Sequence, residues 1–344
     1  MKGLRKILVV QPLAGIGDMV WHVPHLRALR RHAGPDAQIV LLVKARTRAD
    51  MVFLDDPVID RVIWMDRDGL NAARGGVLTL VRRLRQEAFD AAFVLHRSPR
   101  YAMAVWLAGI PRRYGYGLKA AQRWFLNRGG PFPVAPPPSG GIWTPADIVG
   151  QANALVARLG LEMRDEDVFL RPSPAALARV REKLAPLRGQ PVVALGIGSS
   201  EPFKQYGAER FSALALALAD LGWRHFLLAG GPQEQGIVDA IIQAMKAVPG
   251  TEVLSACDWP VSDVIAAQSL CQGFAGNDTG FLNTSAALGI RSVGLFGGTR
   301  PLTHSRFIIP VVPDGGYEQN GGMTRIDPRL AAAALGPPSP FISC

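Results

Sequence analysis

The sequence predicts an α/β protein built from two doubly wound parallel-sheet domains, and three observations predict it. The chain has 344 residues, about twice an ordinary single domain. Compact β-rich runs alternate with stretches whose apolar residues recur at helical spacing, the pattern of a parallel sheet covered on both faces. The alternation stops before Arg171 and then restarts, each half opening with a strand that leads into a glycine-bearing turn.

In the first half, Lys6 to Gln11 (KILVVQ) is the first strand, followed by a glycine turn and the helix VWHVPHLRALRRH. AQIVLLVKA is a second buried strand, a helical stretch lies near Arg48 to Leu54, and RVIWM is a third strand. GGVLTLVRRLRQEAF reads as a helix and DAAFVLH as the fourth strand. From Ala91 to Ala146 there is no acidic residue, whereas Arg97, Arg100, Arg112, Arg113, Lys119, Arg123 and Arg128 are interleaved with Tyr101, Trp106, Tyr114, Tyr116, Trp124 and Phe125. Much of the formal charge of +10 therefore sits in one segment. It suits anionic lipid headgroups, a phosphorylated or carboxylated acceptor, or nucleic acid, and equally a solvated basic face. No nucleic-acid recognition motif accompanies it, so nucleic acid is not an expected partner. The Pro- and Gly-rich interval from Gly129 to Gly141 reads as a surface loop, and the helix DIVGQANALVARLGL follows it.

RPSPAALARVREKLAPLRGQ reads as a linker and the opening helix of the second half. Then come the strand PVVALGIG, the helix AERFSALALALADLG, the strand RHFLLAG, the helix QGIVDAIIQAMKAV, the strand TEVLSA and the helix SDVIAAQSL. The strand GFAGND, the helix TGFLNTSAALG and the strand RSVGLFG complete the alternation, with AAAAL as a short last helix and a loose tail after it. The expected domains are residues 1–172 and 173–344, and the tail is a candidate to return to the first domain. Ligands of open α/β sheets bind beyond the carboxyl ends of the strands, so both sets of loops are expected at a shared cleft.

Composition narrows the class. No apolar run approaches the roughly 18 residues of a membrane-spanning helix. The short apolar stretch at the N-terminus carries no small-residue cleavage pattern and runs directly into GIGD, so it reads as a strand rather than a secretory signal. Cys257, Cys271 and Cys344 fit no metal-ligand spacing and leave one thiol over in any disulfide scheme, which points to a reducing cytoplasm.

Three segments carry chemistry. In GIGDMV, Gly15 and Gly17 precede Asp18 at a helix start; Val20 occupies the last position of a GxGxxG dinucleotide fingerprint, which disfavours a simple NAD site. Asp18 suits both a helix cap and a general base that accepts a proton from an attacking hydroxyl. In GIGSSEPFKQY, Ser199 and Ser200 can donate to phosphate oxygens and Lys204 can set a cation beside a departing diphosphate; a polar loop with a solvated lysine is the plainer alternative. In GNDTGFLNTSAALG, a strand ends at Asn277 and Asp278, Thr279 and Gly280 turn the chain, and a helix begins. Its free amides and dipole suit an anion, and Asp278 suits sugar hydroxyls.

Together these segments resemble the heptosyltransferase family, glycosyltransferase family 9, of GT-B fold. LAGIGDMVWHVPHLRALRR resembles its G-x-x-GD turn and TxPxLRALR-like helix, GIGSSEPFKQYGAERF its mid-chain loop, and GNDTGFLNTSAALG with LFGGTRP its signature. The resemblance runs from Lys6 to about Leu335. It implies two facing Rossmann-like domains, the first binding the acceptor and the second the donor. The implied reaction is transfer, with inversion, of heptose or a related sugar from a nucleoside-diphosphate sugar, ADP-linked above all. The implied acceptor is lipopolysaccharide or a related anionic glycan, met at the cytoplasmic face of the inner membrane, with neither metal nor cofactor. By the same resemblance Asp18 is the base and Lys204 the second catalytic residue. Ser199, Ser200, Lys204, Asp278, Thr279, Gly280, Phe281 and Asn283 fall on the donor side, and Gly17, Arg97 and Arg100 on the acceptor side. Asn283 stands where the family usually has histidine, Gln205 where it has arginine, and Gly196 with Ile197 where it has a His-Pro-like pair, so donor contacts are expected to differ. The competing readings are a transferase for another nucleotide sugar, an epimerase or NADP enzyme with Lys44 and Arg46 near a 2′-phosphate, and a non-catalytic nucleotide- or glycan-binding relative.

Overall fold

A computed structural model describes residues 3–66, 76–127, 145–187 and 189–338. The interval 129–141, Arg128 and Cys344 lie outside the described residues. The chain divides into two compact units, Met1–Phe169 and Leu170–Cys344.

The first unit runs β1 (Lys6–Gln11), α1 (Ile16–Val20), α2 (Val23–Ala33), β2 (Gln38–Val43), α3 (Ala49–Val52), β3 (Arg61–Trp64), α4 (Gly76–Glu87), β4 (Ala91–Val94), α5 (Pro99–Leu107), β5 (Arg112–Gly115), α6 (Ala120–Phe125) and α7 (Pro145–Arg158). Its sheet has the order β3-β2-β1-β4-β5, parallel throughout. Leu8, Val10, Val40 and Leu42 pack with Leu80, Leu84, Ala102 and Val105 of α4 and α5. The stretch read as one helix from Val20 is two, because Pro24 lies in the first turn of α2, where its missing N–H costs nothing.

Three elements lie inside the basic, aromatic stretch, where the sequence indicated none: α5, β5 and α6. The strand is RRYG, with no apolar run, and its pairing from Ala91↔Arg112 to Val94↔Gly115 places it on β4. Tyr114 stacks on Phe93 with ring centroids 4.6 Å apart, and Tyr114 and Tyr116 are core residues, so part of the supposed basic face is interior.

The second unit runs α8 (Pro174–Lys183), β6 (Val192–Gly196), α9 (Ala208–Asp220), β7 (His225–Ala229), α10 (Gln235–Met245), β8 (Glu252–Ser255), α11 (Val261–Gln268), β9 (Gly273–Asn277), α12 (Gly280–Ala287), β10 (Ser292–Leu295), β11 (Ile308–Val311) and α13 (Pro328–Leu335). The sheet order is β11-β10-β9-β6-β7-β8, again parallel. Val193 and Leu195 face a layer that includes Phe211, Leu214, Val238, Ala331 and Leu335, while Val192 and Ala194 face one that includes Ala176, Val180, Val264 and Leu282. The strand β11 was not legible; it carries Pro310 and pairs only with β10, the edge position at which a strand tolerates proline. The last helix packs on α9, and Trp223 Nε1 donates to Gly336 O at 2.8 Å.

Each sheet reverses its winding once: between β1 and β4 in the first unit, between β6 and β9 in the second. Such switch points open a crevice at the carboxyl ends of the strands. In the second unit the strands there approach unusually closely. Gly196 pairs with Gly276, and a Cβ on Gly276 would lie 2.5 Å from Gly196 O and 2.6 Å from its Cα. A Cβ on Gly196 would lie 2.4 Å from the Phe274 ring, which explains why glycine stands there. Gly276→Ala is accordingly expected to destabilise the protein by about 1–3 kcal/mol or more, because the clash is with backbone that cannot yield; a lowered urea midpoint checks it.

Candidate active site

At the switch point of the second unit, β6 runs into the loop Ile197–Lys204 and β9 runs into Asp278, Thr279 and the first turn of α12. Lys204 Nζ lies 3.1 Å from Asp278 Oδ2 and 3.8 Å from Glu201 Oε2. Thr299, from the loop after β10, donates its hydroxyl to the same Asp278 oxygen at 2.8 Å. Residues from three separate segments thus meet on one carboxylate that is 11% exposed.

The loops are braced from below. Asn277 is buried; its Nδ2 faces Ile197 O (3.1 Å), Gly198 O (3.2 Å) and Gln205 Oε1 (3.1 Å), and its Oδ1 accepts from Tyr206 N at 3.2 Å. Gln205 Nε2 donates to Ile197 O at 3.1 Å, and its Oε1 also accepts from Gly207 N at 3.2 Å. A carboxamide both donates and accepts here, which an arginine cannot do, so Gln205 is a strut of the loop. Glu234, buried and absent from the candidates read in the sequence, accepts from Gly231 N at 2.7 Å and Ser199 N at 3.4 Å, joining the β7 loop to the β6 loop. The glycine pair after β7 was the available signal for it.

Ser199 turns its hydroxyl onto Glu201 O at 2.8 Å, while Ser200 is exposed. Thr279 is the extended N-cap of α12, and its buried hydroxyl has no hydrogen-bond partner among the described residues. Gly280 opens the helix. Asn283 is buried and donates to Thr279 O at 3.0 Å, so it holds the turn from behind, and Phe281 packs half-buried against the core. Burial brings His304 down to about 4 against the opposing pull of Asp278, so its imidazole is neutral at pH 7.

In the first unit, Asp18 sits in the first turn of α1, directly after β1. Its carboxylate accepts from Gly15 N at 2.7 Å, and Gln11, buried at the end of β1, donates to its backbone carbonyl at 3.0 Å. Gly17 is buried beside it. Arg97 and Arg100, both exposed, follow the neighbouring strand β4, so the acceptor-side candidates and Asp18 occupy the same strand-end edge. His96 on that edge falls to about 4 through burial and the charges of Arg97 and Lys44. Behind them His25 falls to about 4 through burial, against its bond to Asn153, and His22 lies well below its ordinary value through burial and the neighbouring His25 and His96.

Among the described residues no group of three or more His, Cys, Asp or Glu is arranged to hold a metal ion. No described helix is long and apolar enough to cross a membrane. Cys257 and Cys271 are buried free thiols, the latter pushed up to about 12 by burial, which leaves it unreactive.

Known proteins share this architecture. The chain is similar to an E. coli ADP-heptose lipopolysaccharide heptosyltransferase II (20% identity, TM-score 0.70, covering 96% of this chain and 97% of that one). It is similar to a family 9 glycosyl transferase of Veillonella parvula (18% identity, TM-score 0.74, 96% of each chain). It is also similar to E. coli heptosyltransferase WaaC bound to ADP-2-deoxy-2-fluoro heptose (17% identity, TM-score 0.65, 94% of this chain and 96% of that one). No curated protein matches it in sequence. The sequence profile of glycosyltransferase family 9 (heptosyltransferase) matches residues 77–310 of the 344. A match over well more than half of the chain makes it a member of glycosyltransferase family 9.

Proposed function

We propose that this glycosyltransferase moves heptose, or a closely related sugar, from an ADP-linked donor to a lipopolysaccharide-type acceptor with inversion, in the cytoplasm at the inner face of the membrane. The observation that carries the donor half is the meeting of Lys204, Asp278 and Thr299 beside the N-terminus of α12 at the switch point of the second unit. A diphosphate there gains the Lys204 charge and the amides of Thr279 and Gly280. Asp278, itself bonded by the Thr299 hydroxyl, holds the ammonium in place. The ADP-sugar named with WaaC supports adenine as the base and heptose as the sugar.

In the reaction the acceptor oxygen forms a bond to the anomeric carbon as the bond from that carbon to the β-phosphate oxygen breaks. The electron pair leaves with ADP, the proton passes to Asp18, and a single displacement inverts the centre. Lys204 and the backbone amides take up the charge developing on the diphosphate, the work a metal performs in other transferases.

A thermal-shift series with ADP, UDP, GDP, CDP, TDP and NADP tests the donor assignment, since a ligand bound only to the folded state adds about 2.7 kcal/mol at a hundred times its Kd. ADP is expected to raise Tm most, and Lys204→Ala is expected to remove most of that shift. A shift confined to another diphosphate replaces the donor base, and one confined to NADP overturns the reading.

A further inference from the structure

Trp124 on α6 is 80% exposed and Trp106 on α5 is 44% exposed. The two helices that carry them pack together, the Trp106 ring centroid lying 5.5 Å from that of Phe125, the residue after Trp124. Exposed Lys119 caps the short helix that carries Trp124, exposed Arg123 precedes Trp124 on it, and exposed Arg112 opens β5, between the two helices in the chain. Acidic residues do not balance this charge from within the segment, since none occurs between Ala91 and Ala146. The two acids just before it are committed elsewhere: Glu87 to Lys6, Arg61 and Arg83, and Asp90 to the backbone amides of Arg5 and Lys6.

An indole in water leaves a large apolar surface unburied while its N–H needs a polar neighbour, and the headgroup layer of a bilayer satisfies both. Exposed cations on the same elements match the phosphates of anionic lipids. We propose that the α5–α6 face docks on an anionic lipid bilayer, with Trp124 and Trp106 entering the headgroup layer and Lys119, Arg123 and Arg112 pairing with lipid phosphates. The purpose of such a surface rests on the proposed lipid-linked acceptor; the binding itself does not.

Co-sedimentation of the full chain with vesicles of phosphatidylcholine alone, or with one third phosphatidylglycerol, tests it. Binding is expected only to the anionic vesicles and is expected to weaken with salt. Lys119→Gln with Arg123→Gln is expected to lower the partition coefficient about thirtyfold, two charges at roughly 1 kcal/mol each. Trp124→Ala is expected to lower it several-fold, and Trp124→Phe to reduce the blue shift of emission while keeping most of the binding. The ADP-induced thermal shift of each variant, measured alongside, is expected to match wild type, which separates a failed docking surface from a failed donor assignment. Equal sedimentation of wild type and variants, no sedimentation with anionic vesicles, or tighter retention on a DNA or RNA oligonucleotide at the same salt overturns the proposal.

Discussion

Asp18→Asn is expected to lower the turnover number for sugar transfer by about 10²–10⁴-fold while leaving nucleotide binding and Tm close to wild type. The substitution separates the two roles that one carboxylate can play at this position. As the third residue of α1, Asp18 accepts from the amide of the N-cap residue Gly15 at 2.7 Å, and an asparagine carbonyl can do the same. As a base it must take a proton, which a carboxamide cannot. Asp18→Ala removes both functions and is expected to cost about 1 kcal/mol of stability in addition. Initial-rate kinetics and thermal melts on the two variants decide the matter. Normal turnover in Asp18→Asn, with a loss of stability in Asp18→Ala, would leave Asp18 a cap and nothing more.

The second large effect is loss of stability on mild acidification. His25, His96 and His304 each drop from an ordinary 6.5 to about 4, chiefly through burial, and His22 falls well below 6.5. Because the unfolded chain binds these protons more readily than the folded one, stability is full above pH 6.5, declines as pH falls from 6.5 to 4, and levels off below that for these groups. At about 1.4 kcal/mol per unit of pKa difference, each of these groups contributes a loss on the order of 1 kcal/mol or more. Three of the four histidines lie in the first unit, so its signal is expected to change first. The carboxylates respond lower: Glu87, held down to about 2 by Arg61 and Lys6, releases its contribution between 4.5 and 2. Urea midpoints at pH 7, 6 and 5 check this. Equal midpoints at all three would mean that these imidazoles bind protons as readily in the folded protein as in the unfolded chain.

The legible parts of the fold are those where burial on both sides writes a continuous apolar run. KILVVQ, QIVLLV and VVALG each form a central strand, and each is buried along nearly its whole length. Edge elements were harder to read. The strand RRYG is defined by hydrogen bonds to β4 rather than by its side chains, and β11 hides behind a proline. For α5 a local signal existed: Ser98 caps it and Pro99 opens it, the same pairing that opens α8 at Ser173-Pro174. The surrounding arginines and aromatics drew the reading toward charge instead. In the site, the local motifs made Asp18, Lys204 and Asp278 candidates, and the resemblance to the family supplied the roles expected of them. That Thr299 would bond the Asp278 carboxylate and that Glu234 would brace Ser199 depend on strand order, which no local pattern encodes.

The most direct test of the assignment is to incubate the purified protein with ADP-heptose and a heptose-acceptor lipopolysaccharide core, and to follow released ADP and acceptor mass together. The acceptor is expected to gain one heptose residue for each ADP released, with both signals absent in Asp18→Asn. Release of ADP with no gain in acceptor mass, or turnover only with a donor carrying another base, would contradict the assignment.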